Sequence, residues 1–419
     1  MKYQNIIDNM TLKEKAAFLS GKSEWQTRDF PRLDIPAIFC SDGPNGVRKQ
    51  AGAGDHLGIN PAVPATCFPT AAAMANSWDE ELEQRVGVAL GEESMEEDVN
   101  VLLGPGLNIK RNPLCGRNFE YFSEDPYLSG KMAAAFIRGV QSTGAAACAK
   151  HFAVNSQELR RMAMNAVVDE RTLREIYLTG FEIAIKEGGA KTVMSSYNEV
   201  NGVYANENEH LLKDILRDEW GFEGSVITDW GASNDHSLGV KNGSTLEMPT
   251  PGLDAARELL ASVESGKISE KDIDERVDEL LDLVLTTTEN AKHYKKVADK
   301  KALHEEHHKL ARLACENSAV LLKNEDGILP VGAKVQAAII GDFAFDPRYQ
   351  GAGSSMVNST KVDSIKDMLE TSGISVTGIV RGYQRDGKED ETMKKEAVDL
   401  PRRSDVVLFF FGLNEKSET

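Results

Sequence analysis

The sequence predicts an α/β protein, a (β/α)8 TIM-like barrel followed by an incomplete α/β sandwich domain. Three observations carry that expectation. Between about 35 and 290, five short apolar runs alternate with amphipathic stretches of helical length. A strongly charged helical tract follows at roughly 268–325. Beyond it a second series of apolar runs begins, and three of them precede residue 419.

The elements follow in chain order. The opening "MKYQNIIDNMTLKEKAAFL" lacks the charged-then-apolar pattern of a signal segment, and its Thr11-x-x-Glu14 is a capping box that starts a helix. "IPAIFCSDG", "VNVLLGPGLNI", "AAACAKHFAVN", "KTVMSSYNEVNG" and "GSVITDWGA" are the five barrel strands, each ending in polar residues or glycine. Helices are expected over 79–96, 127–142, 170–187 and 207–219. "NEDGILPVG" is a linker of turn residues with Pro330 and no periodicity. "VQAAIIGDFA", "ISVTGIVRG" and "DVVLFFFGLNE" then read as buried strands, the first two separated by a helix at 361–371. The predicted division is 1–300 for the barrel, 301–333 for a helix and linker, and 334–419 for the start of a truncated sandwich domain.

Composition narrows the function classes. A net charge of −18 opposes nucleic acid, which selects basic surfaces, and suits a neutral ligand such as a sugar. No apolar run is long enough for a membrane span. The five cysteines, Cys40, Cys67, Cys115, Cys148 and Cys315, have no close paired spacing and read as reduced thiols of a cytoplasmic protein.

In parallel α/β barrels chemistry gathers at the carboxyl ends of strands, so the polar tails of the five runs are where a site is expected. "SDGPNGVR" puts Asp42 directly after a strand, where the residues alone favour an ordinary turn aspartate. "NPLCGRNFEYFSEDP" sets Arg117 among aromatic and acidic residues. That arginine is a salt-bridge partner, or a donor to hydroxyls of a ligand packed on the aromatics. "AKHFAVNSQE" ends a strand in Lys150 and His151, "VMSSYNEVNG" brings Met194 and Tyr197 to a similar place, and "VITDWGA" ends in Asp229 and Trp230. "HEEHH" at 304–308 formally fits the H-E-x-x-H zinc helix, but its charged setting and lack of a third ligand favour a solvated helix face. Phosphate-loop, G-x-S-x-G and C-x-x-C patterns do not occur.

"SDGPNGVR", "GPGLNIKRNPLCGRNFEYFSEDPYLSG", "KHFAVNSQE", "VMSSYNEVNG", "GSVITDWGA", "LEMPTPG", "SAVLLKNEDGILP" and "YQGAGSSMVN" occur in that order over nearly the whole chain. Together they closely resemble glycoside hydrolase family 3, the β-glucosidase type. The resemblance implies a barrel carrying the nucleophile and an α/β sandwich domain that closes over the sugar. By motif, Asp229 matches the nucleophile. Asp42, Arg117, Lys150, His151 and Tyr197 match the residues that hydrogen-bond the non-reducing-end sugar, and Met194 and Trp230 line the pocket. The three cationic side chains Arg117, Lys150 and His151 are expected to keep Asp229 ionised. Arg48, Glu158 and Glu247 lie in matched motifs without an assigned role.

The implied activity is that of a retaining exo-β-glycosidase, a β-glucosidase before others, acting on terminal non-reducing β-D-glucosyl residues through a covalent glycosyl-enzyme. It needs no metal or organic cofactor. The implied partner is a small carbohydrate, a β-glucoside or oligosaccharide, with neither nucleic acid nor membrane. A single-domain branch, the β-N-acetylglucosaminidases, places a histidine acid/base on a glycine-rich loop after the Lys-His-Phe motif. Asn155, Ser156 and Gln157 stand there instead, which argues against that branch. In two-domain members the acid/base is a glutamate in a segment resembling "GLNEKSETEGFDR". Here "GLNEKSET" reaches Thr419, so the expected acid/base follows Thr419, with Glu418 the nearest in-chain candidate and Glu415 a poorer one. A separate polypeptide completing the second domain is one way to supply it. The alternatives are β-xylosidase or α-arabinofuranosidase activity on the same scaffold, or a sugar-binding fragment without turnover.

Overall fold

Alternation within the five apolar runs decides how the barrel is built. Side chains along a strand point alternately to opposite faces. Here one set (Cys40, Val101, Leu103, Ala146, Cys148, Met194 and Ile227) packs inward with the amino-terminal helices. The interleaved set (Leu102, Ala147, Ala149, Val193 and Val226) packs outward under the surrounding helices. Both sets are buried, as in parallel sheets covered on two faces. The computed structural model describes residues 1–52, 54, 60–332, 334–353 and 355–414.

These residues form two units, Met1–Ser318 with Gly353–Thr360, and Ala319–Ala352 with Lys361–Thr419. In the first unit the strands β1 (Cys40–Asp42), β2 (Val101–Leu103), β3 (Ala146–Phe152), β4 (Thr192–Ser195) and β5 (Ser225–Ile227) lie side by side in chain order. Every pairing is parallel, with Cys40 opposite Val101, Val101 opposite Ala146, Lys150 opposite Met194 and Met194 opposite Ile227. The ring then continues through single bridges, Ile227 to Leu246 and Glu247 to Ser20, both parallel, and Gln26 to Phe39, antiparallel. The Cys40 N–H donates to Trp25 O at 2.8 Å, which returns the path to β1. The barrel-like architecture is therefore as expected, but a tight turn over 20–27 takes the place of further parallel strands.

Helices α1 (Leu12–Phe18), α2 (Glu80–Glu96), α3 (Pro126–Ser142), α4 (Thr179–Lys186), α5 (His236–Asn242), α6 (Glu270–His293) and α7 (Lys300–Ser318) surround the sheet. Thr11 caps α1 in a capping box with Glu14, Asp79 caps α2 and Asp125 caps α3, each side chain accepting a first-turn N–H. The helix expected over 170–187 is split by a π-turn at Leu173–Leu178, and the one expected over 207–219 is a π-helix at His210–Glu219. Neither winding has a signature in the apolar pattern. The charged tract is two helices, α6 and α7.

In the second unit β6 (Gln336–Ile340) sits between β7 (Ser375–Val380) and β8 (Val406–Phe409), all parallel, with helices α8 (Ile365–Ser372) and α9 (Glu391–Asp399). The sequence predicts three buried strands. The structure corrects this: β7 is only half-buried along its length, and the last strand departs further. Along β8 alternate residues are exposed, Val407 by 41% and Phe409 by 53%, because β8 is an edge strand, whereas their register partners Ala338 and Ile340 on the central β6 are buried. The α8 helix begins at Ile365 rather than 361, where Ser364 caps it. Among the described residues no helix is long and apolar enough to cross a membrane.

Candidate active site

Strand parity places the polar residues at the barrel rim. Asp42 is two residues past the inward Cys40, Lys150 two past Cys148, and Asp229 two past Ile227. Each carries the inward direction one step beyond the apolar core, and all three are buried. Lys150 Nζ stands 3.5 Å from Asp42 Oδ1.

His151 breaks parity, since a residue next to an inward one points outward. The β3–β4 register shifts between Lys150 and Phe152, leaving His151 unpaired in a bulge that re-aims its side chain. Its backbone is held by Asn108, which accepts from the His151 N–H at 2.7 Å and donates to the His151 carbonyl at 2.8 Å. An Arg117 Nη2 donates to His151 Nε2 at 2.8 Å. Because a guanidinium only donates, Nε2 is the acceptor and Nδ1 carries the proton, facing Tyr121 Oη at 3.1 Å. Arg117 Nε also pairs with Glu120. Arg117 is thus both a salt-bridge partner and a member of the site.

Asp229 Oδ2 lies 3.6 Å from His151 Nε2, and its Oδ1 accepts the Trp230 N–H at 2.8 Å. Burial pushes the Asp229 carboxyl above the usual range, against the pull of Arg117, Lys150 and the Trp230 N–H. Burial, followed by the charges of Arg117, Lys150 and Arg161, holds the His151 imidazole well below its ordinary value. This corrects the expectation of three cations around Asp229. His151 is neutral, and the positive charge comes from Arg117, Lys150 and Arg161.

The remaining wall is aromatic. Tyr197 donates its phenol to Trp230 O at 2.9 Å, and Arg161 lies 4.6 Å over the Tyr197 ring. Trp230 is half-buried, packs on Trp25 with centroids 4.9 Å apart, and donates its indole N–H to Glu24 O at 2.9 Å. Met194 is buried between Lys150 and Ile227 in register, part of the inner cluster beneath the rim.

Of the expected residues, Asp42, Arg117, Lys150, His151, Tyr197, Asp229 and Trp230 fall in this one region. Glu415 and Glu418 lie outside the described residues. Glu158 pairs with Arg161 at 2.8 Å. Arg48 donates to Met356 O at 2.8 Å. Glu247 stands 3.1 Å from His236. Sequence reasoning missed Asn108, Tyr121, Arg161 and Trp25 as site residues; Asn108 had a signal in the polar tail of the second run and Tyr121 in the aromatic segment around Arg117. The 304–308 stretch, expected to be a solvated helix face, is buried at His307. His307 points at α2, with Nδ1 2.7 Å from Glu93 and Nε2 3.0 Å from Glu92, and His304 Nε2 lies 4.0 Å from Glu93; no metal-holding group occurs among the described residues.

The sequence profile described as Glycosyl hydrolase family 3 N terminal domain matches residues 24–283, and that of the family's C-terminal domain matches 319–419. The chain belongs to glycosyl hydrolase family 3. It is 48% identical to thermostable beta-glucosidase B of Acetivibrio thermocellus over 99% of this chain and 55% of that protein. It is 42% identical to an exo-alpha-(1->6)-L-arabinopyranosidase of Bifidobacterium breve over 99% and 55%. The family 3 beta-glucosidase of Bifidobacterium adolescentis superposes with a TM-score of 0.90 at 42% identity, over 99% of this chain and 58% of the other. Beta-glucosidase 3B of Thermotoga neapolitana, crystallised with alpha-D-glucose, gives 0.83 at 37% identity, over 96% and 57%. The family 3 chain spans about half the length of the curated relatives it matches.

Proposed function

We propose that this chain is the nucleophile-bearing part of a retaining, exo-acting β-glucosidase. One observation carries the reading: a buried carboxylate, Asp229, ends a barrel strand beside the neutral imidazole of His151, with Arg117 and Lys150 supplying positive charge. In its ionised form Asp229 attacks the anomeric carbon of a terminal β-glucosyl residue, the bond to the leaving oxygen breaks, and a glycosyl-enzyme forms. A second carboxyl protonates the leaving group and then activates water. In a retaining enzyme it stands about 5–5.5 Å from the first, and Glu418 and the position after Thr419 are its candidates.

The other residues hold the sugar. Asp42 accepts from hydroxyls while Lys150, Arg117 and Arg161 donate to them. His151, its Nε2 lone pair engaged by Arg117, stays neutral and orients that guanidinium toward the hydroxyls without adding charge. Trp230, braced by Trp25, and Tyr197 offer faces to the apolar side of the pyranose. The relatives named as beta-glucosidases support this substrate class. The five free cysteines suit a cytoplasmic location.

Labelling tests the reading. After incubation with an activated 2-deoxy-2-fluoro-β-glucoside, mass spectrometry is expected to find one sugar on the peptide containing Asp229. An adduct on another residue, or none, would overturn it. A second reading, an L-arabinopyranosidase, is favoured by the Bifidobacterium breve relative. Comparing aryl β-D-glucoside with aryl α-L-arabinopyranoside hydrolysis in the complete protein separates the two.

A further inference from the structure

Behind the Asp229 loop lies a glutamate that the chemistry above does not use. Glu207 ends a short turn, Ala205–Glu207, that follows β4, and its side chain is buried. Its Oε1 accepts two successive backbone N–H groups, Asn234 at 2.9 Å and Asp235 at 3.2 Å. Its carbonyl accepts from Asn242 Nδ2 of α5 at 2.7 Å. The preceding Asn206 accepts from Ser195 Oγ at the tip of β4 (2.9 Å) and from Ser244 Oγ (2.8 Å), while the Ser195 carbonyl accepts the Asp229 N–H at 3.2 Å.

The loop these contacts restrain is also held at its two ends, where Trp230 accepts from Tyr197 and donates to Glu24 O, and where Asp235 pairs with Lys267. Between Asp229 and Asp235, Ala232 N–H closes a turn on the Asp229 carbonyl at 2.9 Å, and Gly231 N–H donates to Met248 O at 2.8 Å. Gly231 sits at φ +85°, a left-handed conformation that leaves the loop a pivot directly behind Trp230. Without the Glu207 carboxylate, two adjacent N–H groups lose their acceptor and the segment can swing about that pivot.

Resting on the reading of Asp229 as nucleophile, we propose that Glu207 is a positioning residue that sets the aim of the Asp229 carboxylate through the 231–235 loop. The sugar-binding groups Asp42, Lys150 and Arg117 stand on β1, β3 and the Arg117 turn, and Trp230 keeps its own anchors at Tyr197 and Glu24, none of which Glu207 touches. Its loss therefore falls on the reaction step and spares sugar binding, a distinction a merely structural role would not produce.

The test follows the rate of Asp229 labelling by the activated 2-deoxy-2-fluoro-β-glucoside as a function of reagent concentration, a step that needs no acid catalyst. For Glu207→Ala the limiting rate constant is expected to fall at least tenfold, with the half-saturating concentration within twofold. Glu207→Gln keeps a side-chain oxygen for both N–H groups and is expected to stay within threefold of the unaltered chain. An unchanged limiting rate in folded Glu207→Ala, a loss confined to half-saturation, or a Gln variant no better than the Ala variant would overturn the proposal. Should the Ala variant fail to fold, Glu207→Asp, one methylene short, is expected to show the same split, and an unchanged rate there overturns it equally. Absence of label at Asp229 in the unaltered chain would overturn the nucleophile reading first, and this proposal with it.

Discussion

His151 Nε2 stands 3.6 Å from Asp229 Oδ2 yet holds no proton toward it, because the same nitrogen accepts an N–H from Arg117 at 2.8 Å. The arginine therefore fixes the tautomer of the histidine and lends its own charge to the carboxylate through a neutral ring. A buried carboxylate set between burial, which favours its protonated form, and nearby cations, which oppose that, responds to the loss of either.

Lys150→Met follows from that balance. Removing the ammonium takes away one of the two cations that most strongly oppose burial at Asp229, so the Asp229 pKa rises further. Labelling needs the ionised carboxylate, so the acid limb of its pH profile is expected to move to higher pH. The variant also leaves the buried Asp42 without its partner, at a cost of about 1–3 kcal/mol in stability. Labelling rate against pH, with a denaturant titration beside it, reads both. An acid limb that stays in place would show that Lys150 does not act on Asp229.

Trp25→Leu removes the ring on which Trp230 packs. An aromatic pair of this kind contributes about 0.5–1.5 kcal/mol beyond its area, so glucose is expected to bind roughly two- to tenfold more weakly. Label should still reach Asp229, because its carboxylate is held by the Trp230 backbone N–H and not by the indole that Trp25 supports. Competition of glucose against the labelling reaction measures the change.

Much of the barrel was legible because its signal is local. Strand period, polar tips and helix caps are written in consecutive residues, so β1 to β5 and their polar ends follow from the local pattern, while the roles of Asp42 and Asp229 come from the family resemblance. His151 faces the site only through a bulge, which one residue of register decides and no sequence pattern announces. Arg161 over Tyr197 and Trp25 against Trp230 join loops far apart in the chain, where packing and not periodicity chooses the neighbour. The failure at β8 is of the opposite kind, since hydrophobicity was taken as burial and one face of that strand is exposed.

Glu83 gives a stability prediction away from the site. It is buried on α2, its Oε2 has no hydrogen-bond partner among the described residues, and burial pushes its pKa up to about 8. An acid raised in the folded state has no effect below its unfolded pKa. It then destabilises increasingly as pH rises, because the unfolded chain ionises first, and the effect levels off above about pH 8. Glu83→Gln is expected to stabilise by about 1–3 kcal/mol near pH 8 and to make little difference near pH 4. Thermal midpoints of both chains across that range check it.

His307 supplies the opposite sign. It sits between Glu93 at 2.7 Å and Glu92 at 3.0 Å, joining α7 to α2. Burial lowers its pKa, but the two carboxylates outweigh that and raise it to about 9. For a histidine raised on folding, the stabilisation is complete below the unfolded value near 6.5 and is lost as pH climbs through about 9. Replacing it with glutamine leaves two neighbouring carboxylates without the cation. His307→Gln is therefore expected to lose about 2–3 kcal/mol at pH 6, and the gap should close as pH rises above 9. Denaturant titrations of both chains at pH 6, 8 and 9.5 give the test. A gap that does not narrow with pH would assign the loss to packing and not to the charge held between the two helices.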